Sequence, residues 1–172
     1  MSTNERILSP FTLPNGTELK NRLLMAPMTT CTGYYDGTVT SELVEYYRAR
    51  SGSIGTIIVE CCFVDDLGLA FPGAIGIDND EKIAGLAKIA EAIKSKGSKA
   101  LLQIYHGGRM VDPKLIGGRT PVGPSAVAAP RDGAATPVAL TAEEVEGMVG
   151  KFGEAVRRAI QAGFDGVEMM SH

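Results

Sequence analysis

Residues 55–60 read Gly-Thr-Ile-Ile-Val-Glu, a β-branched run in which the apolar residues Ile57, Ile58 and Val59 follow one another directly. A strand with one face in water alternates between apolar and polar residues, whereas a strand of a parallel sheet is covered on both faces and stays apolar throughout. Residues 55–60 therefore predict a buried parallel strand. Further strand-sized apolar runs occur at residues 23–28, 99–105 and 166–170.

Helical patterns separate these four runs. Apolar residues recur every three or four positions over residues 41–50, 80–96 and 141–163, which is the spacing of one helix face. Thr141 and Glu144 form a capping box at the start of the third helix. An Asn15-Gly16 turn predicts a hairpin over residues 11–20. The predicted buried side chains are Leu43, Tyr46 and Tyr47 in the first helix, Ile83, Leu86, Ala90 and Ile93 in the second, and Val145, Met148, Phe152, Val156 and Ile160 in the third.

The loop lengths favour a TIM barrel among the α/β folds. Alternating strands and helices are typical of βαβ units and a parallel sheet. The connections that follow strands are long, at residues 65–79 and 107–137, whereas those from a helix to the next strand are short. A TIM barrel builds its active site from such βα loops. A doubly wound sheet is the alternative, but its G-x-G-x-x-G fingerprint is missing after the first strand.

The chain accounts for half of such a barrel. A complete (β/α)8 barrel takes about 250 residues, and these 172 residues supply a hairpin, four strands and three helices. We therefore predict one α/β domain over residues 1–172, the N-terminal half of a TIM barrel. Half a barrel leaves two strand edges unpaired, so we expect the missing half-barrel or a second copy of the chain as a partner.

Composition argues against several other classes of function. The net charge is −3 with dispersed Lys and Arg, which disfavours nucleic-acid binding, and no apolar run is long enough to span a membrane. Cys31, Cys61 and Cys62 lack the spacing of a zinc site or a disulfide framework, so we expect buried reduced thiols and no metal. The N-terminus lacks a signal pattern, which predicts a cytoplasmic protein.

Three motifs lie at the first, third and fourth predicted strands: NRLLMAPMT at residues 21–29, QIYHGGR at 103–109 and AGFDGVE at 162–168. They resemble the N-R-x-x-x-[AS]-P-M-[TC], Q-[LI]-x-H-x-G-R and A-G-F-D-G-V-E motifs of the Old Yellow Enzyme family of FMN-dependent oxidoreductases. The resemblance runs through the whole chain in the same order. It implies that the following residues contact FMN: Ala26, Pro27, Met28, Thr29, Cys61 and Gln103.

The resemblance also implies a role for each of these contacts. The backbone of residues 26–28 would lie along the flavin ring, with Pro27 fixing the local φ. The Thr29 hydroxyl would donate to flavin O4, and the backbone at Cys61 would touch the ring. Gln103 has one acceptor and two donors, which suit the N3–H and O2 edge of the flavin.

Other residues of the motifs are expected to support the site. We expect His106 and Arg109 to organise the third βα loop by hydrogen bonding. Glu60 and Glu168 end buried strands, where an unpaired carboxylate is costly, so we expect both to pair with cations such as Arg22. Tyr34 or Tyr35, in the first βα loop, is a further candidate for the substrate pocket.

The pattern departs from the family at the fourth strand. There the family continues as E-[IV]-H-x-x-[HN], and the His/His or His/Asn pair binds the substrate. In this chain Met170 stands two residues after Glu168, where the family has histidine, and His172 matches neither member of the pair. The side chain of Met170 has no hydrogen-bond donor. The catalytic residue is therefore left open by the resemblance.

The function implied by the resemblance is FMN-dependent oxidation of NAD(P)H, with hydride passed through the flavin to an activated alkene or another small-molecule acceptor. One alternative is a truncated or diverged half-barrel without catalysis that acts as an assembly or interaction module. Another is a different flavin barrel, related to dihydroorotate dehydrogenase, which the Q-x-x-H-x-G-R match disfavours.

Overall fold

A computed structural model describes residues 3–170, which build a four-stranded parallel sheet, a layer of helices and two small strand pairs. The helices and strands are, in chain order, α1 (Thr3–Leu8), β1 (Phe11–Thr12), β2 (Glu18–Leu19), β3 (Leu24–Met25), α2 (Ser41–Arg50), β4 (Thr56–Phe63), α3 (Ile83–Lys94), β5 (Lys99–Tyr105), β6 (Val122–Gly123), β7 (Val138–Ala139), α4 (Ala142–Gln161) and β8 (Gly166–Met169), with short 3-10 turns at Asp66–Gly68, Asp80–Lys82, Gly108–Met110 and Pro113–Ile116.

The order of the strands decides between the two α/β architectures. The sheet runs β3-β4-β5-β8, and each neighbouring pair is parallel. A doubly wound sheet reverses its strand order in the middle, whereas each strand here lies beside the next one along the chain. Helix α2 packs on α3, and α3 packs on α4. This arrangement confirms the predicted half of a TIM barrel.

The main core lies between the sheet and the helix layer. On the sheet side Ile57, Val59, Leu102 and Ile104 are completely buried, and they meet a set of helix side chains that includes Leu86. Burial of each such side chain contributes about 1.5–3 kcal/mol. The opposite face of the sheet is the interior of the barrel.

The N-terminal hairpin is confirmed. Strands β1 and β2 pair in the antiparallel direction. Gly16 adopts a φ of +84°, a left-handed value that favours glycine, and the side chain of Asn15 accepts a hydrogen bond from the Thr17 N–H at 3.0 Å.

Most predicted elements are present, with shifts at their ends. Strand β5 has the predicted bounds. Strand β3 is shorter than predicted because the chain leaves the sheet before Pro27, which has no N–H to donate. Helix α3 begins at Ile83, after a 3-10 turn that Asn79 caps through its side chain. The pair formed by β6 and β7 was not predicted.

The buried face of helix α4 differs in part from the predicted one. The capping box of Thr141 and Glu144 is present. The predicted apolar stripe is wrong at its two ends, because Val145 and Ile160 are exposed. The helix is buried instead at Ala155 and Ala159, and alanine does not stand out in a pattern of large apolar residues.

Within residues 3–170, none of the helices combines the length and the hydropathy needed to cross a bilayer.

Candidate functional site

The candidate site begins with a β-bulge in β4. Val59 lies opposite Leu102 of β5, and Cys62 lies opposite Ile104, so Glu60 and Cys61 together face the single residue between them, Gln103. Bulges of this kind redirect a side chain and are frequent beside active sites. Val59 and Cys62 both pack in the helix-side core, whereas Cys61 belongs to a second cluster. This bulge was not predicted from the sequence.

The bulge brings together two of the predicted site residues. The Thr29 hydroxyl and the Cys61 thiol form a hydrogen bond with an oxygen–sulfur distance of 3.1 Å. Thr29 follows β3, and Cys61 lies in the next strand of the sheet. Burial raises the pKa of the Cys61 thiol, so the thiol is protonated at neutral pH.

The structure shows that the predicted cation partner of Glu60 is wrong. Glu60 is completely buried, and its carboxylate accepts hydrogen bonds from the Tyr47 hydroxyl at 3.3 Å and the Thr30 N–H at 3.2 Å. The same hydroxyl accepts a bond from the Glu60 N–H at 2.8 Å. Neutral donors thus replace the expected cation, and burial raises the pKa of the Glu60 carboxyl. Arg22 instead donates to backbone carbonyls of residues 6–10.

Gln103 connects the bulge to β8. It is buried to 9% exposure and is paired in register with Glu168. Its side-chain N–H donates to the Glu168 carboxylate at 3.2 Å. Within residues 3–170 no cation pairs with Glu168, so a cation partner for this residue stays a prediction. The second amide proton and the carbonyl oxygen of Gln103 have no partner within residues 3–170. One donor and one acceptor therefore remain for a ligand with both functions on one edge.

The segment after β3 presents further donors. Ala26 and Met28 are exposed, and Pro27 is half-buried. The backbone N–H groups of Met28 and Thr29 make no hydrogen bond to the described part of the chain. Together with the Thr29 hydroxyl and Gln103, these donors suit the carbonyl-rich edge of a flavin ring. The residues present therefore fit FMN chemically, and their contacts with it stay predictions.

Met170 lies at the same end of the sheet. Its N–H donates to the Ile104 carbonyl at 3.0 Å, and its side chain packs on the cluster of Cys61, Phe63, Ala74 and Tyr105. The position where the family pattern has histidine is thus apolar. His172 lies outside the described residues.

The third βα loop is organised as predicted. The His106 Nδ1 accepts a hydrogen bond from the Gly108 N–H at 3.0 Å, and Arg109 donates to the Ala128 carbonyl at 3.4 Å. Because Nδ1 is an acceptor, the ring proton of neutral His106 is on Nε2. That atom is buried without a partner among the described residues, and burial lowers the pKa of His106.

A groove of about 1170 Å³ lies between this loop, α4 and the end of β8. The lining residues include His106, Met170, Val149 and Met169, and the last two are exposed. Its walls are mainly apolar, so the groove offers space for an apolar group beside the candidate cofactor site.

The first βα loop holds three exposed residues about which the sequence made predictions. Tyr34 and Tyr35 are both exposed, and a role in substrate binding stays a prediction. Cys31 is exposed, which corrects the expectation that all three thiols are buried. It also has a φ of +57°, a backbone conformation that a non-glycine residue seldom adopts.

The chain is similar to known oxidoreductases. A profile of the NADH:flavin oxidoreductase / NADH oxidase family matches residues 6–172. The NADH:fumarate oxidoreductase of Klebsiella pneumoniae (strain 342) is 85% identical over 98% of this chain and 18% of its own length. The NADH:acrylate oxidoreductase of Vibrio harveyi is 56% identical over 95% of this chain and 16% of its own length.

Solved structures show the same relationship. The Old Yellow Enzyme homologue of Zymomonas mobilis superimposes with a TM-score of 0.86 at 32% identity. The match covers 95% of this chain and 47% of that protein. This chain therefore spans less than half the length of each of these three relatives.

Proposed function

This chain belongs to the NADH:flavin oxidoreductase / NADH oxidase family, and from that premise we propose that it forms the N-terminal half of the FMN site in an NAD(P)H-dependent oxidoreductase. The observation that carries the proposal is the set of hydrogen-bonding groups at the carboxyl ends of β3, β4 and β5. Active sites of parallel barrels lie at that end of the strands. The Thr29 hydroxyl and the Gln103 amide are the two side chains that give the site its polarity.

Each residue has a defined task in this proposal. When bound, FMN supplies the hydride chemistry, accepting hydride from NAD(P)H and passing it to an acceptor. The Thr29 hydroxyl and the N–H groups of Met28 and Thr29 donate to flavin oxygen atoms. Gln103 keeps one donor and one acceptor for the N3–H and O2 edge, while Glu168 holds its other N–H. Cys61 contacts the ring through its backbone.

The acceptor is proposed to be an activated alkene or another small molecule. Two relatives are named for fumarate and acrylate, which are both alkenes conjugated to a carboxylate. Met170, however, offers no hydrogen bond to such a substrate. In the proposal the acceptor is therefore oriented by groups other than Met170. Reduction of an acceptor at this site is a separate step from oxidation of NAD(P)H.

The partner of the half-barrel is part of the proposal. Within residues 3–170 the outer edges of β3 and β8 have no strand partner. The exposed apolar side chains near them include Met169 of β8 and Val145, Val149 and Ile160 of α4. We propose that a second half-barrel, from a longer chain or from a second copy, covers these surfaces. A cytoplasmic location stays a prediction.

The proposal is tested with the purified chain and FMN under anaerobic conditions. A yellow protein whose flavin band bleaches on addition of NADH or NADPH supports it, and recovery of the band with fumarate or acrylate supports the alkene acceptor. A protein that stays colourless after incubation with FMN contradicts a cofactor site in this chain and favours the non-catalytic assembly module.

A further inference from the structure

The hydrogen bond between Thr29 and Cys61 is a feature that the proposed cofactor contacts do not explain. The Cys61 side chain reaches the Thr29 hydroxyl, at 3.1 Å, because the bulge adds one residue between Val59 and Cys62. Without that added residue, Cys61 would share the face of Val59 and point into the helix-side core. The bulge therefore places a thiol against one particular hydroxyl group.

The chemistry of the two groups indicates which one donates. Burial raises the pKa of Cys61, so its sulfur carries a proton. A hydroxyl oxygen is a good acceptor, whereas a thiol sulfur is a weak one. Thr29 is also the only hydrogen-bond partner of the Cys61 thiol within residues 3–170. Donation from sulfur to oxygen satisfies the thiol and leaves the Thr29 proton for another acceptor.

A second contact holds the neighbouring residue. The Thr30 N–H donates to the Glu60 carboxylate, which is itself held by the Tyr47 hydroxyl. Adjacent residues of the loop after β3 are thus bonded to adjacent residues of the bulge. Two such contacts fix the backbone position and the side-chain orientation of Thr29.

We propose that Cys61 is a positioning residue for Thr29, its thiol donating to the Thr29 hydroxyl oxygen so that the Thr29 proton is directed to an oxygen atom of the bound flavin. The flavin part of this inference rests on the proposed function. The direction of the hydrogen bond does not, and it is measurable in the chain without cofactor.

The first experiment measures the S–H stretching band of the chain without FMN by infrared difference spectroscopy. The Cys61 band is the one that disappears in Cys61→Ala. In Thr29→Ala it moves to higher frequency because the thiol loses its acceptor, and in Thr29→Ser it stays near its original position. Cys62→Ala removes a different buried thiol of the same strand and leaves the Cys61 band in place. A Cys61 band that does not move in Thr29→Ala overturns the inference.

The second experiment measures the midpoint potential of FMN bound to the same variants. A hydrogen bond to a flavin oxygen stabilises the reduced flavin, so Thr29→Ala lowers the potential. Cys61→Ala is also expected to lower the midpoint potential, and the double variant should have the potential of Thr29→Ala. Cys61→Ser and Cys62→Ala should keep a potential close to that of the parent chain. An unchanged potential in Cys61→Ala beside a lowered one in Thr29→Ala overturns the inference.

The two experiments separate this inference from the proposed function. If no form of the chain binds FMN, the proposed function fails, and the infrared band alone decides whether Cys61 donates to Thr29. If FMN binds and the Cys61 band does not respond to Thr29, the proposed function stands and the positioning role of Cys61 fails.

Discussion

Substitution of Tyr47 by phenylalanine removes one hydroxyl group from the buried network behind the candidate site. Tyr47 is 1% exposed, and its hydroxyl accepts from the Glu60 N–H at 2.8 Å and donates to the Glu60 carboxylate at 3.3 Å. In Tyr47→Phe the ring still fills its place in the core. The Glu60 N–H, however, loses its partner inside the protein.

The expected cost follows from these two contacts. An unsatisfied buried donor costs about 1–3 kcal/mol, and the longer contact to the carboxylate adds little. We expect Tyr47→Phe to lower the free energy of unfolding by about 2 kcal/mol. For a protein of about 150–250 residues this corresponds to a fall of roughly 4–8 °C in Tm.

Urea denaturation followed by circular dichroism measures this loss, and the chain provides a matched control. Tyr46 is the adjacent residue of α2, and its hydroxyl makes no hydrogen bond within residues 3–170. Tyr46→Phe is expected to change stability by less than about 0.5 kcal/mol. Equal and small losses in Tyr46→Phe and Tyr47→Phe would refute the view that the Tyr47 hydroxyl supports the bulge.

Three further substitutions test other parts of the structure. Burial raises the pKa of Glu60, so its protonated carboxyl stabilises the fold below the pKa of the unfolded chain, and this stability is lost as pH rises through the pKa of the folded chain. In the parent chain the urea midpoint should therefore fall between acidic and neutral pH, and in Glu60→Gln this fall should be absent. A fall in Glu60→Gln as steep as in the parent chain would contradict the prediction. Lys20→Met removes an ammonium group that donates to two backbone carbonyls and a serine hydroxyl, so we expect a loss of about 1–3 kcal/mol in thermal unfolding, against little change for exposed Lys88→Met. Thr141→Ala removes the N-terminal cap of α4, with an expected cost of about 0.5–2 kcal/mol and faster amide exchange in the first turn of that helix; unchanged exchange there would argue against the cap.

Much of the fold could be predicted because local patterns agree with tertiary packing. The apolar run at residues 99–105 is the strand β5 itself. The capping box at Thr141 marks the start of α4. The positions of these elements then follow from the rule that successive units of a barrel lie side by side. Membership of the flavin oxidoreductase family was likewise predicted from three motifs, and it is confirmed.

The parts that were not predicted depend on contacts between distant residues. A bulge does not change the hydropathy of a strand, so its effect on Cys61 was not predicted. The partner of Glu60 is a tyrosine on α2, whereas the charge of the glutamate alone suggested a cation. A lone glutamate followed by two cysteines in an apolar strand was the available signal for an irregular strand with a neutral hydrogen-bond donor beside it.

FMN binding to the purified chain is the most direct measurement of the proposed flavin site. Titration followed by quenching of flavin fluorescence should give saturable binding. Gln103→Leu, which removes two proposed hydrogen bonds, should weaken it by roughly five- to a hundredfold, while Gln161→Leu, at the exposed end of α4, should bind as the parent chain does. Absence of saturable binding, or equal affinity in Gln103→Leu and the parent chain, would show that these residues do not form the proposed flavin site.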